Sequence, residues 1–244
     1  MGTSPPGSCS LGVDGVRTIK DLIGAAIKPG YVPLRQRLGK AIFARGADLR
    51  TEEVMSLEQL RLASPDRREY KPAGWSILPR ILPARQVSSD DVFIDYGSGM
   101  GRIVYQAAAR YPFKRVIGLE LSEELSEIAR ANLDRNSSRL RCLNVEIVTR
   151  DALEYDPPSD ITVAWFYNPF AGAIFQTAVH RLLNAASGPV RFIYCNPIEH
   201  DLLMATGRVT VKKRLRGWRP GKVWSHSNST IMYETVRDIA PTPG

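Results

Sequence analysis

Residues 95–101 read Asp-Tyr-Gly-Ser-Gly-Met-Gly, and two more carboxylates, Glu120 and Asp151, close later apolar runs. The three acids and the three glycines are the residue types that could recognise a ligand here. Gly97, Gly99 and Gly101 let the backbone turn tightly and approach a ligand with no Cβ in the way. Close packing of a strand on a helix would also call for such glycines. The carboxylate of Asp95, two residues ahead of Gly97, would repel a pyrophosphate drawn to a helix N-terminus and instead suits an ammonium group. Glu120 falls about 20 residues past the glycines, where an acid can accept from both hydroxyls of an unphosphorylated ribose. Asp151 can accept from an adenine amino group.

These side chains converge only if the chain brings three strand ends together. From Asp91 onward apolar runs alternate with helical patterns. The patterns predict strands at Val92–Tyr96, Arg115–Leu119, Val145–Thr149, Ile161–Phe166 and Arg191–Cys195. They predict helices at Gly101–Arg110, Ser122–Asn136 with Ser122 as cap, and Ala171–Leu183. Successive βα units require a mostly parallel sheet covered on both faces, and the ligand then lies at the carboxyl ends of the strands. "RVTVKKRLR" and "STIMYETV" alternate in polarity and read as a closing antiparallel pair. The expected fold is α/β: a Rossmann-like, mostly parallel sheet with helices on both faces, a C-terminal antiparallel hairpin and a helical N-terminal segment. An ammonium, a ribose and an adenine with no phosphate describe S-adenosylmethionine better than a dinucleotide, which leaves NAD-dependent oxidation as the weaker alternative.

The run "DYGSGMGRIV" resembles the first motif of the class I S-adenosylmethionine-dependent methyltransferases, "GLELS" their acidic second-strand end, and "RDALEY" their third motif. The resemblance spans roughly Tyr70 to Tyr233. It implies that Asp95, Gly97, Ser98, Gly99 and Gly101 line the methionine side of S-adenosyl-L-methionine, that Glu120 binds the ribose, and that Asp151 with Ala152 borders the adenine. More distantly, this run and "FYNPF" are similar to the DOT1-like lysine methyltransferases. In that pattern an asparagine at the end of the fourth strand sits beside the methyl donor, and Asn168 matches it.

Methyl transfer is an in-line displacement, so alignment of the nucleophile matters most, and a base is needed only where the nucleophile would otherwise be protonated. Asn168 can accept from an amine, and Pro169 with Phe170 forms an apolar wall. "NPF" resembles the [DNS]PP[YF] signature of amino-group methyltransferases with one proline missing, and an Asn-Pro pair is also an ordinary turn signal. After the fifth strand comes "YCNPIEH", where His200, with Glu199, is a candidate base for an oxygen nucleophile or else a surface residue. Tyr70 and Trp75 are candidates to close over the cofactor. The expected activity is transfer of a methyl group to nitrogen or oxygen of an unidentified acceptor, with a small molecule as the first choice. The alternatives are a protein lysine, or a nucleic-acid-binding module that has kept only the fold.

Charge bears on the acceptor. Residues 1–90 carry 14 Lys/Arg against 9 Asp/Glu, residues 91–207 carry 11 against 14, and residues 208–244 carry 8 against 2. Basic flanks around a slightly acidic centre suit an anionic acceptor or nucleic acid. They serve equally as a solvated surface, or as lysines that keep an edge hairpin from aggregating. With 43% hydrophobic residues in 244, the chain can bury a sizeable core. No apolar run reaches the roughly 18 residues of a membrane span, and the first residues lack a secretory pattern, so a cytoplasmic protein is expected. The three cysteines have neither disulfide nor zinc spacing. The expected organisation is a tail over 1–15, a helical cap over 16–90, with helices at Val16–Ile27, Leu34–Gly46 and Thr51–Leu62, and a cofactor-binding domain over 91–244.

Overall fold

A computed structural model describes residues 33–34, 36–56, 58–60, 66–216 and 229–236. The tail over 1–15 and the Val16–Ile27 helix lie outside the described residues. So do Trp218 and Trp224, which fall in the basic run 207–224 that carries seven Lys and Arg residues and could contact phosphates and bases.

Seven strands form one sheet: β1 (Val92–Tyr96), β2 (Arg115–Glu120), β3 (Val145–Thr149), β4 (Val163–Phe166), β5 (Arg191–Cys195), β6 (Val209–Arg216) and β7 (Ser229–Thr235). Their order is β3-β2-β1-β4-β5-β7-β6. The first five pair in parallel, and β7 is antiparallel to both β5 and β6. The alternating polarity at the C-terminus therefore does form a hairpin, but β7 inserts beside β5 and leaves β6 at the edge. The five buried residues of β1 and the four of β4 show why the middle is parallel: strands apolar on both faces need cover on both.

One face is covered by α1 (Ile77–Ile81), α2 (Arg102–Arg110) and α3 (Glu123–Arg135), with Trp75, Leu78, Val104, Trp165 and Ile193 buried between them and the sheet. α4 (Gly172–Ala185) and α5 (His200–Ala205) cover the other. There Phe166 lies between Tyr96 and Phe192, stacked at 4.5 and 4.4 Å. Each such fully buried side chain contributes about 1.5–3 kcal/mol. The β3–β4 connection has no helix, and Ala152, Tyr155 and Ile161 fill its place in that core. Ser122 caps α3 as expected, its hydroxyl accepting from Leu125 N at 3.3 Å.

Ahead of the sheet, residues 36–43 are helical, within the helix expected at Leu34–Gly46. The helix expected over Thr51–Leu62 does not form at 51–56: Met55 instead makes an antiparallel bridge with Tyr70. Tertiary bonds outcompete the local helical pattern here. The buried Arg102 guanidinium donates to the Thr51 hydroxyl (3.1 Å), the Thr51 carbonyl (2.7 Å) and the Ala73 carbonyl (2.8 Å), and lies 4.5 Å from the centre of the Trp75 ring. Two buried asparagines, Asn132 on α3 and Asn136 just past its end, bind the adjoining segment through its backbone. Asn132 accepts from Arg50 N and donates to Arg50 O, and Asn136 does the same with Asp48. Residues 48–51 are therefore held as an extended strap along α2 and α3.

Candidate cofactor and acceptor site

Asp95, next to last in β1, and Glu120, last in β2, lie at neighbouring strand ends on one side of the sheet, because Asp95 pairs with Gly118. Both are buried, at 3% and 8% exposure. Desolvation, and secondarily the nearby Glu120, push the Asp95 carboxyl well above the usual range. Burial also raises Glu120, against three backbone donors that favour its charged form: Gly99 N (2.8 Å), Leu121 N and Ser122 N (2.9 Å each). A carboxylate offers about four acceptor positions, so room for a sugar hydroxyl remains.

Between these acids runs the glycine loop. Gly97 N and Ser98 N both donate to Leu119 O (2.8 and 3.0 Å), which folds the loop over the end of β2. Gly97 and Gly99 have φ of +73° and +55°. A Cβ on Gly97 would stand 2.4 Å from Pro169, and one on Gly99 2.1 Å from the Tyr70 ring. Glycine is thus required twice over, by conformation and by close approach. The loop is bordered by the Asn168-Pro169 turn at one glycine and by Tyr70 at another. Tyr70 donates through its hydroxyl to Thr51 O (3.3 Å), which ties it to the strap. Asn132, which binds the strap at Arg50, also donates to Met100 O within the loop (2.9 Å). Gly101 leads into α2, and the Ser98 hydroxyl is buried without a hydrogen-bond partner.

Asp151, just past β3, is engaged by a residue that sequence reasoning missed. Arg67 donates to it at 2.7 Å, and its other oxygen accepts from Leu153 N at 3.0 Å. Arg67 also bridges Phe170 through its backbone, Arg68 N donates to Pro169 O, and Ala171 N donates to Asp66 O. Residues 66–68 thus cross from the Asp151–Ala152 corner to the loop after β4. No periodicity signals that crossing. Arg102 was visible as the residue following the glycine motif, but its role in holding the strap was not.

On the acceptor side, Asn168 has a left-handed backbone (φ +50°), and its carbonyl oxygen is buried with no hydrogen-bond partner. Phe170 is buried, its ring 6.0 Å from that of Phe166. His200 sits at the start of α5 with Nδ1 2.6 Å from the Tyr233 hydroxyl on β7, and Glu199 accepts from Gly172 N at 2.8 Å. Asp95, Gly97, Ser98, Gly99, Gly101, Glu120, Tyr70 and Asn168 are therefore gathered at one end of β1, β2 and β4. Asp151 and Ala152 join them across Arg67, and His200 is bound toward β7. In the basic run, Lys212 pairs with Glu234 (2.8 Å), and Lys213 donates to Arg80 O and Ile81 O at the end of α1.

Strand order, the closing antiparallel pair and the acids at or just past three strand ends are those of the class I S-adenosylmethionine-dependent methyltransferase fold. Residues 69–155 match the family model described as histone methylation protein DOT1. The chain is 28% identical over 154 residues to a protein-lysine N-methyltransferase of Saccharolobus islandicus (strain REY15A), covering 63% of this chain and 82% of that one. It is 36% identical over 71 residues to the histone-lysine N-methyltransferase, H3 lysine-79 specific, of Drosophila melanogaster, which is 29% of this chain but only 4% of that protein. Among solved structures, an RNA methyltransferase from Salinibacter ruber in complex with S-adenosyl-L-homocysteine superposes with a TM-score of 0.50 at 24% identity, over 71% of this chain and 98% of that one. Among the described residues no helix is long and apolar enough to cross a membrane.

Proposed function

We propose that the protein is an S-adenosylmethionine-dependent methyltransferase whose acceptor is an amine nitrogen, the side chain of a protein lysine. The residues fit the cofactor chemically. Asp95 and Glu120 are buried acids with no side-chain cation bonded to either among the described residues, a combination that a ligand ammonium or sulfonium would relieve. Bound there, the cofactor supplies a methyl group activated on a sulfonium. Asp95 with the glycine loop would hold the methionine end, Glu120 the ribose, and Asp151 with Ala152 the adenine, while Tyr70 packs over Gly99. On the acceptor side Asn168 orients the nucleophile, and Pro169 and Phe170 exclude water from it.

The observation that carries the amine reading is the buried, unpartnered carbonyl oxygen of Asn168 beside the glycine loop. Such an acceptor looks for a donor, and an amine presents N–H bonds while its lone pair stays available. The lysine source is supported by the DOT1 match and by the archaeal protein-lysine N-methyltransferase. Titration calorimetry should show saturable binding of S-adenosylmethionine and S-adenosylhomocysteine, and a tritiated methyl group should pass into lysine residues of proteins in a host lysate. Label in small molecules alone would return the acceptor to that class. No binding of either nucleoside would remove the methyltransferase reading.

A further inference from the structure

Two neighbouring strands leave the sheet in the same way. Phe166 at the end of β4 pairs with Tyr194 of β5. Two residues beyond each stands an asparagine followed by a proline, Asn168-Pro169 and Asn196-Pro197. The asparagines thus follow paired strand ends at the same offset. Both have left-handed backbone, φ +50° and +51°, and among the described residues no other non-glycine residue does. A residue before proline favours extended backbone, so each position is strained, and strain of this kind concentrates where it serves function. Glycine would accept that φ without strain but carries no amide. Asparagine is the side-chain-bearing residue that takes this backbone most readily, and it places an amide at each turn.

Neither carbonyl is used within the fold. Asn168 Oδ1 is buried and unpartnered, and among the described residues the Asn196 side chain makes no hydrogen bond. The Asn196 backbone is held firmly, its N–H donating to Ser229 O (2.9 Å) and its carbonyl accepting from Ile198 N (2.8 Å).

We propose that Asn196 is a second acceptor-orienting residue, and that Asn168 and Asn196 together hold a neutral primary amine by its two N–H bonds. The inference rests on the methyltransferase reading and adds to it a second residue that positions the acceptor amine. A nucleophilic RNH2 that aims its lone pair at the methyl carbon has two N–H bonds left, and two adjacent amide carbonyls satisfy both. A hydroxyl offers one donor and a ring nitrogen such as that of pyridine offers none, so either would leave a carbonyl unpaired. The amine arrives as an ammonium and loses one proton to water. Its nitrogen lone pair then forms the N–C bond as the C–S bond breaks, that electron pair stays on sulfur, and the alkylammonium product gives its proton to water.

The test uses sinefungin, the cofactor analogue with a primary amine in place of the methylsulfonium, against S-adenosylhomocysteine, which has neither. Asn196→Gly and Asn168→Gly keep a backbone that tolerates positive φ and remove only the amide. Calorimetry on the full chain should show that each variant binds S-adenosylhomocysteine as the parent does and loses about tenfold of the parent's preference for sinefungin. An unchanged preference in Asn196→Gly overturns the proposal. So does an equal loss for both ligands, which would make Asn196 part of the general pocket framework. Failure of the unaltered protein to bind S-adenosylhomocysteine would overturn the methyltransferase reading, and this inference with it.

Discussion

Asp91 and Asp95 stand four residues apart at opposite ends of β1, and the fold treats them in opposite ways. Burial pushes the Asp91 carboxyl up, but Ser88 N–H, the Thr162 hydroxyl and the Arg191 guanidinium (2.5 Å) outweigh it, and the net shift is downward. Asp95 is buried more deeply; desolvation, and secondarily the nearby Glu120, drive its shift strongly upward. The first is a structural acid satisfied within the protein. The second lies buried beside another acid, an environment that favours its protonated form and that a positively charged ligand would also relieve. The two carboxylates thus differ both in depth of burial and in the partners that the fold supplies.

That contrast can be broken experimentally. The largest effect is expected for Asp95→Asn, which should weaken S-adenosylmethionine binding by about 100-fold in calorimetry, the loss typical of removing one member of a buried charge pair. Its thermal stability should hold or rise, because a repelled buried acid is gone. Arg191→Ala should do the reverse: a loss of about 2 kcal/mol in urea unfolding, with cofactor affinity unchanged.

Next in size is a pH effect of opposite sign at the two acids. The native state holds the Asp95 proton more tightly than the unfolded chain does. Its contribution to the stability of the free protein therefore falls as pH rises from about 4 through its raised value. Cofactor binding should strengthen over the same range and release up to about one proton, read by calorimetry in buffers of different ionisation enthalpy. Asp91 contributes stability that is present above about pH 4 and lost as pH falls through its lowered value, and Arg191→Ala should flatten that acid-side slope without abolishing it, because Ser88 N–H and the Thr162 hydroxyl remain. The smallest effect belongs to Tyr70→Phe, which removes the 3.3 Å bond to Thr51 O but keeps the ring over Gly99. Unfolding should cost under about 1 kcal/mol, and cofactor affinity should change less than threefold.

Much of this was legible locally. Asp95, Gly97, Gly99, Gly101 and Glu120 are set by the strand–turn–helix grammar around them, and the strands Val145–Thr149 and Arg191–Cys195 appear where their apolar runs end. The segment 51–56 was misread because its helical pattern is real but weak, while Arg102 holds the Thr51 carbonyl and Met55 exchanges backbone hydrogen bonds with Tyr70. Arg67 was missed because nothing near it in sequence signals a partner 84 residues away.

The sequence alone determined the parallel sheet, the glycine turn and the three acids at strand ends, because those depend on periodicity and backbone freedom within about 15 residues. Tertiary structure decided the insertion of β7 beside β5, the strap laid over α2 and α3, and the pairing of Asp151 with Arg67. It also decided that Asp91 would meet Arg191 and Thr162 and that Asp95 would be buried beside Glu120. These depend on desolvation and on contacts between distant segments, and both come into being only when the chain packs.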